Sequence, residues 1–263
     1  MAEHRRRRSR RESEVVLRPL DWRWLLLAGF GLVFLLWALA WGVADVAAYR
    51  ARVWTETWAN QDQLALRRGL LYVPAEKDWQ EALSAAELAQ KLAPRAADYE
   101  DLLAHVYASR HIGAADGDAQ AMPYWQQAEV HYRRAIALRP TWPYSYVALA
   151  QVQRRMHRLD RDYEHNLRQA LHYGPWEPAI HMAIVDMNLD LLAQLQPSTR
   201  QLVLDTLRRG QAWTTDSKGG AVPYGDRLWA RVVQRHKQFV VCGWLSQDDL
   251  QLRARCNPAL APG

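Results

Sequence analysis

The sequence predicts an all-α protein: an N-terminal transmembrane helix, an array of helical-hairpin repeats beyond it, and C-terminal capping helices. Three observations carry that prediction. The stretch from Trp24 to Ala44 holds no charged residue, later amphipathic patterns end three times in proline, and further helical patterns follow the last of these.

At ~1.5 Å of rise per residue, the run from Trp24 to Ala44 reaches about 31 Å, close to the hydrocarbon thickness of a bilayer. Trp22 and Trp24 at one end and Trp41 at the other suit the lipid–water boundary, where indoles prefer to lie. Residues 1–23 form a basic tail with eight Arg against four acidic residues. Positive charge beside a span marks the cytoplasmic side, so everything after the span is expected on the exterior side. A cleaved signal peptide shares the order of positive, then apolar, and Ala38-Leu39-Ala40 has small-residue spacing. The length of the run and its tryptophans favour a retained anchor.

The tail also accounts for most of the net charge of +6: the remaining 240 residues carry 26 basic against 24 acidic side chains. A nucleic-acid partner is therefore not expected, because the basic charge is concentrated where topology explains it. Cys242 and Cys256 both fall on the exterior side, where a pair can become a disulfide; two separate thiols are the alternative.

Residues 45–73 keep a helical pattern and read as a stalk that extends the membrane helix, ended by Pro74 because a proline excludes helical geometry from the residue before it. Residues 74–196 read as repeats. The segments ending in Pro94, Pro140 and Pro175 are each an amphipathic helix, and each is followed by another helical pattern. The last two prolines are 35 residues apart, near the ~34 of a tetratricopeptide repeat. The first two are 46 apart, and the glycine-containing stretch Ser109 to Ala121 reads as an insertion that makes up the difference. Ala104, Ala128, Ala135, Ala150 and Ala170 supply the short side chains that let helices in a hairpin approach. Residues 197–240 carry two more patterns, the first expected to begin at Ser198, that would cap the open end of the stack. Residues 241–263 read as a tail.

The segments RPTWPYSYVALAQ (Arg139–Gln151), YGPWEPAIHMAIVDMNLDLL (Tyr173–Leu192) and STRQLVLDTLRRG (Ser198–Gly210) resemble the VpsP family of polysaccharide-biosynthesis proteins. The motifs Trp142-Pro143 and Gly174-Pro175-Trp176-Glu177-Pro178 carry that resemblance. It implies a single-span, tetratricopeptide-like periplasmic protein whose partners are components of an exopolysaccharide synthesis or export complex. It implies a cellular process and no catalytic residue.

A scan for chemistry finds no catalytic set. His157, His165, His172 and His181 lack zinc spacing, no HExxH or GxSxG motif occurs, and Lys218-Gly219-Gly220 lacks the strand-to-helix context of a phosphate loop. Asp160, Asp162, Asp186 and Asp190 read as a solvated helix face. No cofactor and no metal site is expected. What the fold offers is a concave surface, lined in such arrays by the first helix of each pair. Repeat offsets place Asp98, Asp101, His105, Tyr144, Gln151, Arg154, Arg155, Met182 and Asp186 on it as partner-binding residues. Trp142 and Trp176 either pack over repeat junctions or present aromatic faces to sugar rings.

Overall fold

The computed structural model describes residues 22–211, 224–245 and 250–256. The Arg5–Arg18 cluster, Lys218 and residues 257–263 lie outside them. The described residues contain helices and no strand. The chain divides into two units, Met1–Gly42 and Val43–Gly263. In the first, the described residues belong to the apolar part of helix α1 (Trp22–Arg67), which is long and apolar enough to cross a membrane and buries none of that apolar window.

In the second unit α1 is not a free stalk. Ala44, Ala47, Ala48 and Ala51 form a stripe at three- and four-residue spacing, extended by Thr55 and Trp58, and all six are buried. They pack with Ala82, Ala85, Ala86 and Ala89 of α2 (Glu76–Leu92) and with Tyr99, Leu102 and Leu103 of α3 (Ala97–Ser109) in one core cluster. Short side chains such as these suit the packing of one helix against another. The Tyr99 hydroxyl donates to Asp45 at 2.5 Å and Arg50 pairs with Glu81, which fixes the register.

Pro74 does not end α1. Gly69 does, five residues earlier, with φ +69° and a pair of closing bonds: Gly69 N–H to the Leu66 carbonyl and Leu70 N–H to the Ala65 carbonyl. That is the glycine-closed helix end that satisfies the last carbonyls.

The helices that follow are α4 (Met122–Leu138), α5 (Pro143–Arg155), α6 (Arg161–Tyr173) and α7 (Pro178–Asn188). The turns α2–α3, α4–α5 and α6–α7 share one backbone geometry. The residue before the proline leaves the helical region: Ala93 at φ −137°, ψ 72°, Arg139 at φ −140°, ψ 76°, and Gly174 at φ −122°, ψ 52°. Each donates its N–H to an alanine four residues back, Ala89, Ala135 or Ala170, all fully buried. Each accepts from the residue three ahead, Ala96, Trp142 or Glu177, whose extended backbone starts the next helix. In the last two, a proline occupies the first helical position, where its missing N–H has no partner to lose.

The insertion from 109 to 121 folds back on the array. Gly113 N–H donates to the Tyr72 carbonyl at 3.1 Å, and a Cβ on Gly113 would lie 2.6 Å from that oxygen. Gly117, at φ +78°, donates to the Arg155 carbonyl at 2.7 Å.

At the other end, α8 begins at Pro197, and the Ser198 hydroxyl donates to Glu164 of α6. Helix α9 (Tyr224–Gln234) packs on α7 and α8. The segment expected to be a tail includes α10 (Gln238–Gly243) and α11 (Leu250–Cys256), with Val241, Leu245 and Leu252 buried in the C-terminal core. Cys242 and Cys256 form a disulfide that joins these two helices.

Two outcomes are expected for the detergent-solubilised chain in urea unfolding followed by circular dichroism. Ala48→Leu overfills the α1–α2 seam and lowers stability by about 1–3 kcal/mol. Replacing Cys242 by Ser opens a loop of 14 residues and lowers stability by about 3 kcal/mol.

Candidate functional site

Helices α1, α3 and α5 converge on an open recess of about 390 Å³. Asp98, Asp101 and His105 line it from α3, with Trp142, Tyr144 and Ser145 from the start of α5. Arg52, Thr55 and Glu56 of α1 complete the lining, a contribution hidden at the sequence level because that segment read as a stalk.

Arg139, the residue before Pro140, organises the recess. Its guanidinium pairs with Asp98 at 2.7 Å, approaches Asp101 at 3.6 Å and lies over the Trp142 ring, 4.3 Å from the centroid. Tyr144 sits 5.1 Å from Trp142, centroid to centroid, and donates its hydroxyl to Glu177 at 3.0 Å. The indole therefore contacts a cation and a second, tilted ring, and 39% of the residue stays exposed.

Asp98 is largely exposed, whereas Asp101 is mostly buried and accepts a 2.8 Å bond from Ser145. Burial pushes the Asp101 pKa up to about 6, against the lowering pull of Ser145 and Arg139; Asp98 and Glu100 add to the rise. Its Oδ1 has no hydrogen-bond partner in the protein. His105 keeps solvent contact, and the protein around it holds its pKa below the ordinary value.

The other nominated residues lie elsewhere. Arg155 donates to the carbonyls of Ile112 at 2.9 Å, Ala114 at 2.6 Å and His111 at 3.3 Å, and lies over the Trp125 ring at 4.7 Å. Arg154 pairs with Asp116 at 3.0 Å and donates to the Met187 carbonyl at 3.0 Å. Both arginines fasten the insertion and α7 to α5; they are not open to a partner. Met182 packs against the C-terminal core, and Asp186 faces Arg231 of α9 at 3.7 Å, its pKa raised by burial. Helix α9 crosses this stretch and also holds it through Tyr224, whose hydroxyl donates to the Pro178 carbonyl. Gln151 is exposed, and Trp176 is 73% exposed.

The open part of the expected surface is thus a compact recess and its rim. Among the described residues, no group of three His, Cys, Asp or Glu side chains could hold a metal ion. No family model matches the chain, and no curated protein matches it.

The Asp101 environment yields a prediction with a definite sign. Its folded-state pKa lies above the unfolded value of 3.8, so the native state binds the extra proton between about pH 4 and pH 6. Stability should fall as pH rises through that window and level off above it. Asp101→Asn should remove this part of the slope, so that the variant gains stability relative to the parent between pH 4.5 and pH 7.5 in urea titrations. Parallel slopes for the two proteins would refute the assignment.

Proposed function

We propose that this chain is a single-span bacterial inner-membrane protein, its N-terminus cytoplasmic, whose periplasmic part is a non-enzymatic, tetratricopeptide-like scaffold. In this reading it holds together protein components of an exopolysaccharide synthesis or export complex. The observation that carries it is the convergence of α1, α3 and α5 on one open face, since the first helices of such hairpins line the cradle that receives a partner.

Other observations support the parts of this reading. The helix at Trp22–Arg67 has the length and hydropathy of a span, and the arginines before it suit a cytoplasmic end. A Cys242–Cys256 disulfide suits an oxidising compartment. Three turns of one geometry, at prolines 46 and 35 residues apart, suit hairpin repeats with one insertion. The VpsP-like motifs around Trp142 and Trp176 supply the process. The partner surface in this proposal is the rim of the recess together with exposed Gln151.

A photo-crosslinking residue at Gln151, placed in cells that make the polymer, tests the proposal. Recovery of synthesis or export proteins, with less polymer after deletion of the gene, is the expected result. Capture of neither class together with unchanged polymer would sink it.

A second reading, in which the aromatics guide a glycan, is favoured by the half-exposed Trp142 and the exposed Trp176.

A further inference from the structure

We infer that the recess lined by Trp142, Tyr144, Asp98, Asp101 and His105, with Arg139 beside it, is a binding subsite for a neutral pyranose ring of a saccharide. The inference rests on the recess itself. Of the scaffold reading it uses only the exterior address, and a sugar seated here leaves the rim to protein.

Four observations carry it. First, the open surface is short. The long cradle that an extended peptide needs is closed beyond α5 by the insertion, through Arg154 and Arg155, and over α7 by α9. What remains accommodates a compact ligand of a few rings.

Second, the recess has an immobilised aromatic platform. Arg139 over the Trp142 ring and Tyr144 beside it hold the indole in place, so a sugar that stacks on it loses little freedom of the protein side chain. The axial C–H groups of a pyranose are an apolar, weakly positive surface, which an indole face complements for the reason it attracts cations and ring edges.

Third, hydroxyl partners surround the platform. Asp98 is held by the Arg139 guanidinium at 2.7 Å and keeps an exposed carboxylate that can accept from a hydroxyl. His105, on the recess wall, can donate as well as accept through its two ring nitrogens.

Fourth, the charge balance selects against the alternatives. Glu56, Asp98 and Asp101 face Arg52 and Arg139 in and beside the recess, an excess of one negative charge that disfavours a uronate. The apolar lining is limited to Leu102 and Ala148 beside the aromatics, too little to anchor an amphipathic helix.

The test uses the full chain in a phosphocholine detergent, which avoids glycoside headgroups. The probes are glucose, galactose and mannose tetrasaccharides, an oligogalacturonate and a Lys/Arg-rich peptide. Saturation-transfer NMR and calorimetry should show binding of at least one neutral tetrasaccharide, with the oligogalacturonate weaker. Trp142→Ala should weaken it about tenfold, the loss of one aromatic contact, and Trp142→Phe should restore part of it. Trp176→Ala should leave it unchanged. Should Trp142→Ala disturb the fold by circular dichroism, Asp98→Asn decides: its carboxylate is exposed, and the variant should still weaken binding severalfold.

No binding by any neutral tetrasaccharide, binding indifferent to Trp142 and Asp98, or binding of the basic peptide alone would each overturn the proposal. Crosslinking from Gln151 reports on the scaffold separately. A Trp142→Ala chain that loses the saccharide and keeps its protein crosslinks would support both; loss of the crosslinks alone would count only against the scaffold.

Discussion

The geometry forced on a residue that precedes proline is the constraint from which most of this structure follows. Ala93, Arg139 and Gly174 are each pushed out of the helical region by the ring that comes next. The helix must stop there, yet its last carbonyls still need donors. All three turns solve this identically: an N–H back to a buried alanine and a carbonyl forward to the residue that caps the next helix. The turn is so short that the next helix must run back along the previous one. The same turn occurs three times, and α1, α3 and α5 come together to line the recess.

Packing then decides how much of the face stays open. The alanine seam between α1 and α2 brings α1 into the array, so Arg52, Thr55 and Glu56 become one wall of the recess. The insertion and α9 close the face further along. Arg155 shows why the insertion is ordered there: the guanidinium gathers three carbonyls of a loop that has no helix to satisfy them. A buried backbone carbonyl without a donor is costly, so a long loop against a helical array needs such a cation, and removing it would leave several groups unmatched at once.

Much of this was legible in the sequence, and the failures have physical causes. The apolar run, the three proline-terminated patterns and the excess length between the first two prolines are periodic or compositional signals. The packed half of α1 had a signal too: Ala44, Ala47, Ala48 and Ala51 already lie at helix-face spacing. It was hidden because a stripe of alanines is also what a solvated helix tolerates. The positive φ of Gly69 was obscured by Pro74, the more conspicuous stop. The positions of Arg154 and Arg155 could not have been read from sequence, because Arg155 is held by backbone carbonyls of a loop, which any residue supplies, and Arg154 by Asp116 and a carbonyl of α7. Asp98, Asp101, His105 and Tyr144, expected on one surface from the sequence pattern, line one recess.

The recess and the fold have one origin, and Arg139 shows it. Ala93, Arg139 and Gly174 occupy equivalent places in the three turns, but only the middle one carries a long side chain. At the third turn there is little room for a side chain, since a Cβ on Gly174 would stand 3.0 Å from the Pro143 ring. At the first, alanine reaches nothing. At the second, the turn that Pro140 imposes projects a guanidinium across the face of α3, where it collects Asp98 and Asp101 and supports Trp142. Trp142 is itself a junction residue, equivalent to Ala96 and Glu177, and Glu177 of the next turn accepts from Tyr144. One of three similar turns thus carries the side chains that gather around the recess. That turn sits where neighbouring turns and three odd-numbered helices can all contribute. Placing the polar and aromatic groups on junction residues also keeps them rigid, because the same backbone bonds that end and start helices hold them.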